Sequence, residues 1–332
     1  MKLEAYSRGE LFRPPIALGN SHAQSLLAAW SVRRRLVRRR AAALLTAARP
    51  QVIECTGGIR LLGYFSAQPK PARGLVIMLH GWEGSAEANY VLSVGSALYA
   101  AGFAVFRLNF RDHGATHELN PELFHSCRID EVVDATKRIT EAYDVPRTFL
   151  VGHSLGGNFA LRVAARFSAA GLSLTRVVAI CPVLRPHSTM RALEEGLWIY
   201  RQYFLQRWRA SLRAKAASFP ELYDFGDLRR FPTLTATTDF FVRRYTEFPD
   251  LDAYLNGYAI TGTVLAGLTV PTLLIAAADD PVIPIGDLDD VARTRALAIK
   301  VLPRGGHCAF LESYSLRSWL DRAVVAELSA AA

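Results

Sequence analysis

Four cysteines in 332 residues, Cys55, Cys127, Cys181 and Cys308, are too few and too widely spaced for a disulfide framework. None forms a Cys-x-x-Cys pair and none has a histidine at zinc-ligand spacing, so no metal is expected and reduced thiols in a cytoplasm fit best. No run of eighteen or more apolar residues occurs, so a spanning helix is not expected. The stretch MKLEAYSRGELFRPP has early acidic residues and no apolar h-region, so a secretory signal is not expected either. Internal repeats and low-complexity tracts are also missing. These absences set aside membrane-spanning, disulfide-stapled and zinc-module classes.

Apolar residues make up 51% of the chain, enough to bury a sizeable core. The formal charge is +9, and much of the excess is local: six arginines fall between Arg33 and Arg40 in SVRRRLVRRRAAALL. Two readings stay open. One is a patch for an anionic membrane or nucleic acid; the other is a surface helix with Leu36, Val37 and an Ala/Leu tail packing on the domain. No nucleic-acid fold signature accompanies the arginines, so nucleic acid is not expected as a partner.

From about residue 50, apolar strands alternate with helix-period segments. QVIEC and RLLGYFSA, joined through Thr56, Gly57 and Gly58, read as an opening hairpin. GLVIMLHG, FAVFRLNF, RTFLVGHS, RVVAICPV, TVPTLLIAAADD and LAIKVLP read as strands, the first of these as one buried on both faces. Helical segments lie between them, which implies a mostly parallel sheet with helices on both faces, an α/β fold. Residues 185–267 break the rhythm: they are aromatic and helical, without a buried strand, and read as a cap inserted after the sixth strand. The expected division is therefore an N-terminal helical segment over 1–50, a core over 51–184 and 268–332, and the cap. Trp198, Tyr200, Tyr203, Phe204 and Trp208 are expected either to line a substrate channel or to pack the cap onto the core.

The chemistry gathers at VGHSLGGN. A Gly-x-Ser-x-Gly turn there follows a strand and opens a helix, as a nucleophile elbow requires. Ser154 would stand above the sheet on a strained turn, with Gly152 and Gly156 small enough for strand and helix to approach. Leu155 begins the helix, so its N–H has no intrahelical partner and is free to face an oxyanion. A serine hydroxyl needs a base, and the base an orienting carboxylate. Downstream, Asp279 and Asp280 end an apolar strand, where Pro281 and Pro284 fix the loop, and His307 lies in the Gly-rich PRGGHCAF loop. Asp280 is the expected partner of His307, with Asp279 binding a loop N–H instead. LHGWEGS supplies a second oxyanion donor, the backbone N–H of Trp82, with His80 as scaffolding.

These residues resemble the α/β-hydrolase superfamily. Within it the chain is similar to the YheT-like family of bacterial hydrolases, related to eukaryotic α/β-hydrolase-domain lipases and acyltransferases. The resemblance runs almost end to end, through FRPPIALGNSHAQSL, HGWEGS, NFRDHGATHELN, GHSLGGN, AADDPVIP and GGHCAFLE. Asn20, Ser21, His22 and Gln24, with the HGxEGS stretch, are what single out this family. The resemblance implies a triad of Ser154, Asp280 and His307, an esterase or lipase-like activity, and no cofactor. Trp82 stands where many members carry leucine, and Arg111–Gly114 differs from an Arg-Gly-Cys-like form. No role follows for His22, His113 or His117.

The reading that results is a serine hydrolase of carboxylic esters with medium-chain or lipid-like acyl groups, acting through an acyl-enzyme on a small-molecule substrate. Three alternatives stay open: an acyltransferase using the same acyl-enzyme, a catalytically silent binding protein on this fold, and an anionic-surface binder acting through Arg33–Arg40. A cytoplasmic location, with peripheral membrane association, is the expectation.

Overall fold

The computed structural model describes residues 12–143 and 145–332, so the first eleven residues of the expected N-terminal segment lie outside the described residues. Three short helices come first: α1 (Ser21–Ala29), α2 (Ser31–Arg40) and α3 (Ala42–Ala47). Strands β1 (Ala48–Glu54) and β2 (Arg60–Ser66) follow, then β3 (Leu75–Leu79), α4 (Asn89–Ala100), β4 (Ala104–Leu108), α5 (Ile129–Ala142), β5 (Thr148–His153), α6 (Leu155–Arg166) and β6 (Arg176–Ile180). Four helices then run in succession: α7 (Pro186–Glu195), α8 (Trp198–Ser218), α9 (Leu234–Tyr245) and α10 (Leu251–Gly257). β7 (Thr272–Ala277), β8 (Leu297–Leu302) and α11 (Trp319–Ser329) complete the chain.

The eight strands form one sheet in the order β1-β2-β4-β3-β5-β6-β7-β8. β1 and β2 are antiparallel to their neighbours, and β4 through β8 and β3 are mutually parallel. The opening hairpin turns through Gly57 and Gly58, both at φ 75°, a left-handed backbone that glycine adopts without steric cost. β1 begins at Ala48, slightly earlier than the sequence suggests, and most of it is exposed as an edge.

Strand side chains alternate between two buried layers. Leu75, Ile77 and Leu79 of β3 join α5 and α6 on one face, while Val76 and Met78 join α2, α3, α4 and α11 on the other. All five are fully buried, which is why the strand reads as a continuous apolar run. The chain leaves β3 first toward β4 and later returns to place β5 on its other side. The order reverses there, so a crevice opens at the carboxyl ends of β3 and β5, where ligands gather in such sheets.

α7 to α10 carry a separate apolar cluster that includes Leu205, Trp208, Phe241 and Tyr254, and Leu123 from the loop after β4 and Val183, Val282 and Ile283 from the strand ends belong to it as well. A buried ion pair joins this layer to the loop after β4. Lys215 of α8 donates to Asp112 at 2.8 Å, with the carbonyls of His117, Asn120 and Glu122 within 3.2 Å. Both partners are shielded from water, so neither tolerates loss of the other.

The arginine-rich segment differs from both sequence readings in one respect. Arg33 is buried, donating to the Leu316 and Ala28 carbonyls, and Val37 lies beside it on the inward face of α2. Arg34, Arg35, Arg38 and Arg39 occupy the outward face. The Ala/Leu tail is a separate helix, α3, whose Leu44 is buried.

Replacement of Lys215 by alanine strands Asp112 in the interior and is expected to lower the unfolding free energy by about 3–5 kcal/mol. Lys70→Ala, on an exposed loop, should change it by less than about 0.5 kcal/mol. Urea denaturation distinguishes these, and a Lys215→Ala loss no larger than the Lys70→Ala change would mean that the pair does not hold the layers together.

Candidate active site

Ser154 sits between β5 and α6 at φ 54° and ψ −120°, a strained conformation for a residue with a Cβ. Close backbone approach enforces it. A Cβ on Gly152 would run into the Gly156 carbonyl, and one on Gly156 would lie 2.5 Å from the Leu79 carbonyl oxygen of the neighbouring strand. Leu155 is the first residue of α6, so its amide has no partner within the helix. Gly81 packs against the Ser154 side chain and brings the turn at Trp82 beside the elbow.

Two hydrogen bonds link three side chains drawn from distant parts of the chain. His307 Nε2 is 2.9 Å from Ser154 Oγ. Its Nδ1 lies 2.9 and 3.1 Å from the two oxygens of Asp280. Asp280 also accepts from the Val282 and Ile283 amides, which orient its carboxylate. Asp279 instead accepts from the Gly306 amide and so braces the histidine loop. Burial alone would lower the His307 pKa, but the Asp280 carboxylate and the neighbouring Cys308 sulfur together raise the value to about 9.

The segment around His22, unexplained by sequence, holds that loop. Asn20 caps α1 by accepting from the His22 and Ala23 amides. Gln24, wholly buried, accepts from the Leu311 amide and donates to the Leu311 and Leu18 carbonyls. Ser25 Oγ accepts the backbone N–H of His307 itself at 2.9 Å. Gly306 lies so close that a Cβ there would stand 2.5 Å from the Ser21 carbonyl. His22 Nδ1 is within hydrogen-bond distance, 3.0 Å, of the Tyr200 hydroxyl, tying α1 to α8. The resemblance singled out Gln24 but gave it no role, and sequence reasoning missed Gln24 and Ser25 as residues that position a loop 287 residues away.

Two other histidines fix the opposite wall. His80 donates from Nδ1 to the Gly81 carbonyl and accepts from the Phe110 amide at Nε2. His113 donates to the Arg111 carbonyl and accepts from the amide of Glu83, the residue after Trp82. Burial pushes both below the ordinary histidine value, which keeps them neutral braces. Glu83 takes φ 54°. Arg111 is buried and bonds to Glu131 through Nε and Nη2 and to Glu122 through Nη1, so the Arg-Asp-His-Gly stretch is a folded support, not a lining. His117 meets Ser211 of α8.

Two chambers meet at Ser154. One, of about 90 Å³, is apolar and lies under α7 to α10, lined by Phe124, Met190, Leu193, Trp208 and Phe241 among others. The other, of about 370 Å³, opens between α1–α2 and the start of α8 and contains His307, Glu83, Tyr200, Tyr203 and Arg207. Trp82 lines both, with its indole stacked on Phe204 at 5.3 Å and edge-on to Trp208. Of the five cap aromatics, Tyr200, Tyr203, Phe204 and Trp208 therefore border a chamber, and Trp198 does not.

Cys181 and Cys308, distant in sequence, come together beneath the histidine: their sulfurs and a His307 nitrogen lie within 4.8 Å of one another. Both His307 nitrogens already serve Ser154 and Asp280, and burial pushes the Cys181 thiol well up, so the cluster is a poor fit for a resident metal. The cysteines are not cross-linked. Among the described residues no helix is long and apolar enough to cross a membrane.

A family model described as alpha/beta hydrolase fold matches residues 74–314. No curated protein matches the chain. Solved structures similar in fold include the esterase Pf2001 of Pyrococcus furiosus, at 15% identity and TM-score 0.55 over 97% of this chain and 98% of that one. An esterase of Pyrobaculum calidifontis is similar at 19% identity and TM-score 0.54, over 96% of this chain and 97% of that one. Est1E from Butyrivibrio proteoclasticus is similar at 16% identity and TM-score 0.54, over 85% of this chain and 98% of that one.

The His307–Asp280 contact has a direct readout. Because Asp280 favours the imidazolium, His307 should stay protonated above the ordinary value near 6.5 and titrate toward about 9 in an NMR pH series. Asp280→Asn removes the charge and leaves burial, so the midpoint should fall below that of the unchanged protein. A midpoint that does not move would mean that the two groups do not interact.

Proposed function

The chain belongs to the alpha/beta hydrolase fold family, and from that membership and the hydrogen-bond chain at its elbow we propose that it is a serine hydrolase of carboxylic esters. The observation that carries this reading is the unbroken path from Ser154 Oγ through His307 to Asp280, set at a strained strand-to-helix turn. The fold neighbours named as esterases are in keeping with it. The finer resemblance, to YheT-like hydrolases, is part of the same proposal and rests on the Asn20–Gln24 and HGWEGS stretches.

In the proposed reaction His307 Nε2 takes the Ser154 proton as Oγ bonds to the ester carbonyl carbon. The carbonyl electron pair moves onto its oxygen, which the Trp82 and Leu155 N–H groups receive. Asp280 stabilises the imidazolium. Collapse expels the alkoxide, which leaves with the proton from His307; water then attacks the acyl carbon as His307 takes its proton, and the acyl–Oγ bond breaks as His307 returns that proton to Ser154, releasing the acid.

The two chambers divide the substrate. The leaving oxygen must reach His307 to be protonated, and His307 lines only the larger chamber, so the alcohol part belongs there. The acyl group then extends into the small apolar chamber past Leu155 and Trp82. At about 90 Å³ against about 370 Å³ it is the smaller of the two, so the acyl group is the smaller part of the proposed substrate and the open chamber takes a bulkier alcohol.

A fluorophosphonate probe should label the protein and fail to label Ser154→Ala. Turnover of p-nitrophenyl esters should be highest for short acyl groups and fall by roughly tenfold or more for long ones. Because the base works only when neutral, kcat/KM should rise with pH through the raised His307 pKa, placing the optimum on the alkaline side of neutrality. No labelling of folded protein would sink the proposal, and product diverted wholly to an added alcohol would reassign it to acyl transfer.

A further inference from the structure

Two short segments beside the larger chamber carry most of the large exposed apolar side chains among the described residues. Of twelve large apolar side chains exposed among the described residues, seven fall there: Leu26, Trp30 and Val32 on one side, and Leu197, Trp198, Ile199 and Tyr203 on the other. Trp30 and Trp198 are 50% and 68% exposed. The segments are neighbours in space: His22 touches Tyr200, and Leu26, Ile199 and Tyr203 line the same chamber. A contiguous apolar patch around a site marks an interaction surface.

Its charge says what it meets. The outward face of α2 presents Arg34, Arg35 and Arg39, which form no ion pair among the described residues, and Arg34 lines the chamber mouth. Arg207 adds a cation on the far rim, its Nε held by the Glu83 carbonyl. The acid at the mouth that ion-pairs, Glu87, is neutralised by Arg38 and Arg107. Tryptophans beside arginines match the boundary between lipid headgroups and acyl chains, where indoles and guanidinium groups both gain. A protein partner would not require unpaired arginines and tryptophans arranged around a substrate entrance.

We propose that this rim is a docking face for an anionic lipid surface, which seats the mouth of the larger chamber against the membrane. Trp30, Trp198 and Leu197 enter the headgroup layer, and Arg35 and Arg39 pair with lipid phosphates. An ester with a bulky apolar alcohol would pass from the lipid into the chamber without crossing water. The face goes beyond the proposed activity and binds whether or not Ser154 reacts.

The test uses the full chain with vesicles of phosphatidylcholine and of phosphatidylcholine mixed equally with phosphatidylglycerol. Co-sedimentation is expected with the mixed vesicles and not with the neutral ones, lost as salt rises, with a blue shift of tryptophan emission. Arg35→Gln with Arg39→Gln should weaken binding about twenty-five-fold, at roughly fivefold per arginine. Trp30→Ala with Trp198→Ala should weaken it by at least about tenfold. Neither pair should change turnover of a water-soluble p-nitrophenyl ester in vesicle-free buffer, or labelling by the fluorophosphonate, which separates this inference from the reading of the triad. Absence of binding to the mixed vesicles, or binding that either pair leaves intact, would overturn it. So would self-association abolished by the tryptophan pair, or salt-steep binding to duplex DNA, if seen without vesicle binding.

Discussion

The close backbone approach at the elbow is the constraint on which the rest of the site depends. Gly152 meets Gly156, and Gly156 meets Leu79 and His80, at separations that leave no space for a side chain. Strand β5 can then turn directly into α6, with Ser154 held at a positive φ above the sheet. Similar strain recurs along the same edge, at Glu83, Asp112, Cys181 and Cys308. Left-handed conformations at non-glycine residues persist only where surrounding structure over-determines them. Here they collect where the chain leaves β3, β4, β5 and β6 and where it presents His307.

Buried polar contacts supply that over-determination. His80 and His113 brace the turns at Gly81 and Glu83 from one side, while Arg111 anchors the loop after β4 to α5 through Glu131. From the other side, Gln24 and Ser25 hold the loop that carries His307. A solvated histidine loop would wander by more than a hydrogen-bond length. A clamped one keeps Nε2 in reach of Ser154 and Nδ1 in reach of Asp280 at once. The N-terminal helices are therefore part of the site, although none of their side chains takes part in the chain of hydrogen bonds.

Electrostatics and shape follow from the same arrangement. Asp280 raises the His307 pKa against burial, whereas His80 and His113, without a carboxylate partner, are pushed down. One environment favours the charged imidazole; the other keeps its imidazoles neutral. Trp82, stacked on Phe204, separates a small apolar chamber from a wider one that opens beside arginines.

Much of this was legible in the chain. Continuous apolar strands alternating with helical periods dictate a parallel sheet, because only burial on both faces accommodates them. The Gly-x-Ser-x-Gly turn between a strand and a helix marks Ser154, since the sharp turn presses Gly152 against Gly156 and Gly156 against the neighbouring strand. Asp280 and His307 could be picked out because each follows a strand and therefore falls at its carboxyl end. What the sequence could not determine depends on contacts between residues far apart in the chain. Gln24 beside Leu311, Lys215 beside Asp112, Cys181 beside Cys308, and the inward turn of Arg33 are such cases. A buried polar residue is chosen by the partner it meets, and that partner exists only once the sheet, the helices over it and the N-terminal segment have closed on one another. The sequence by itself determined the fold and pointed to Ser154, Asp280 and His307, through periodicity and turn sterics; the clamps, the two chambers and the rim around them were decided by tertiary packing.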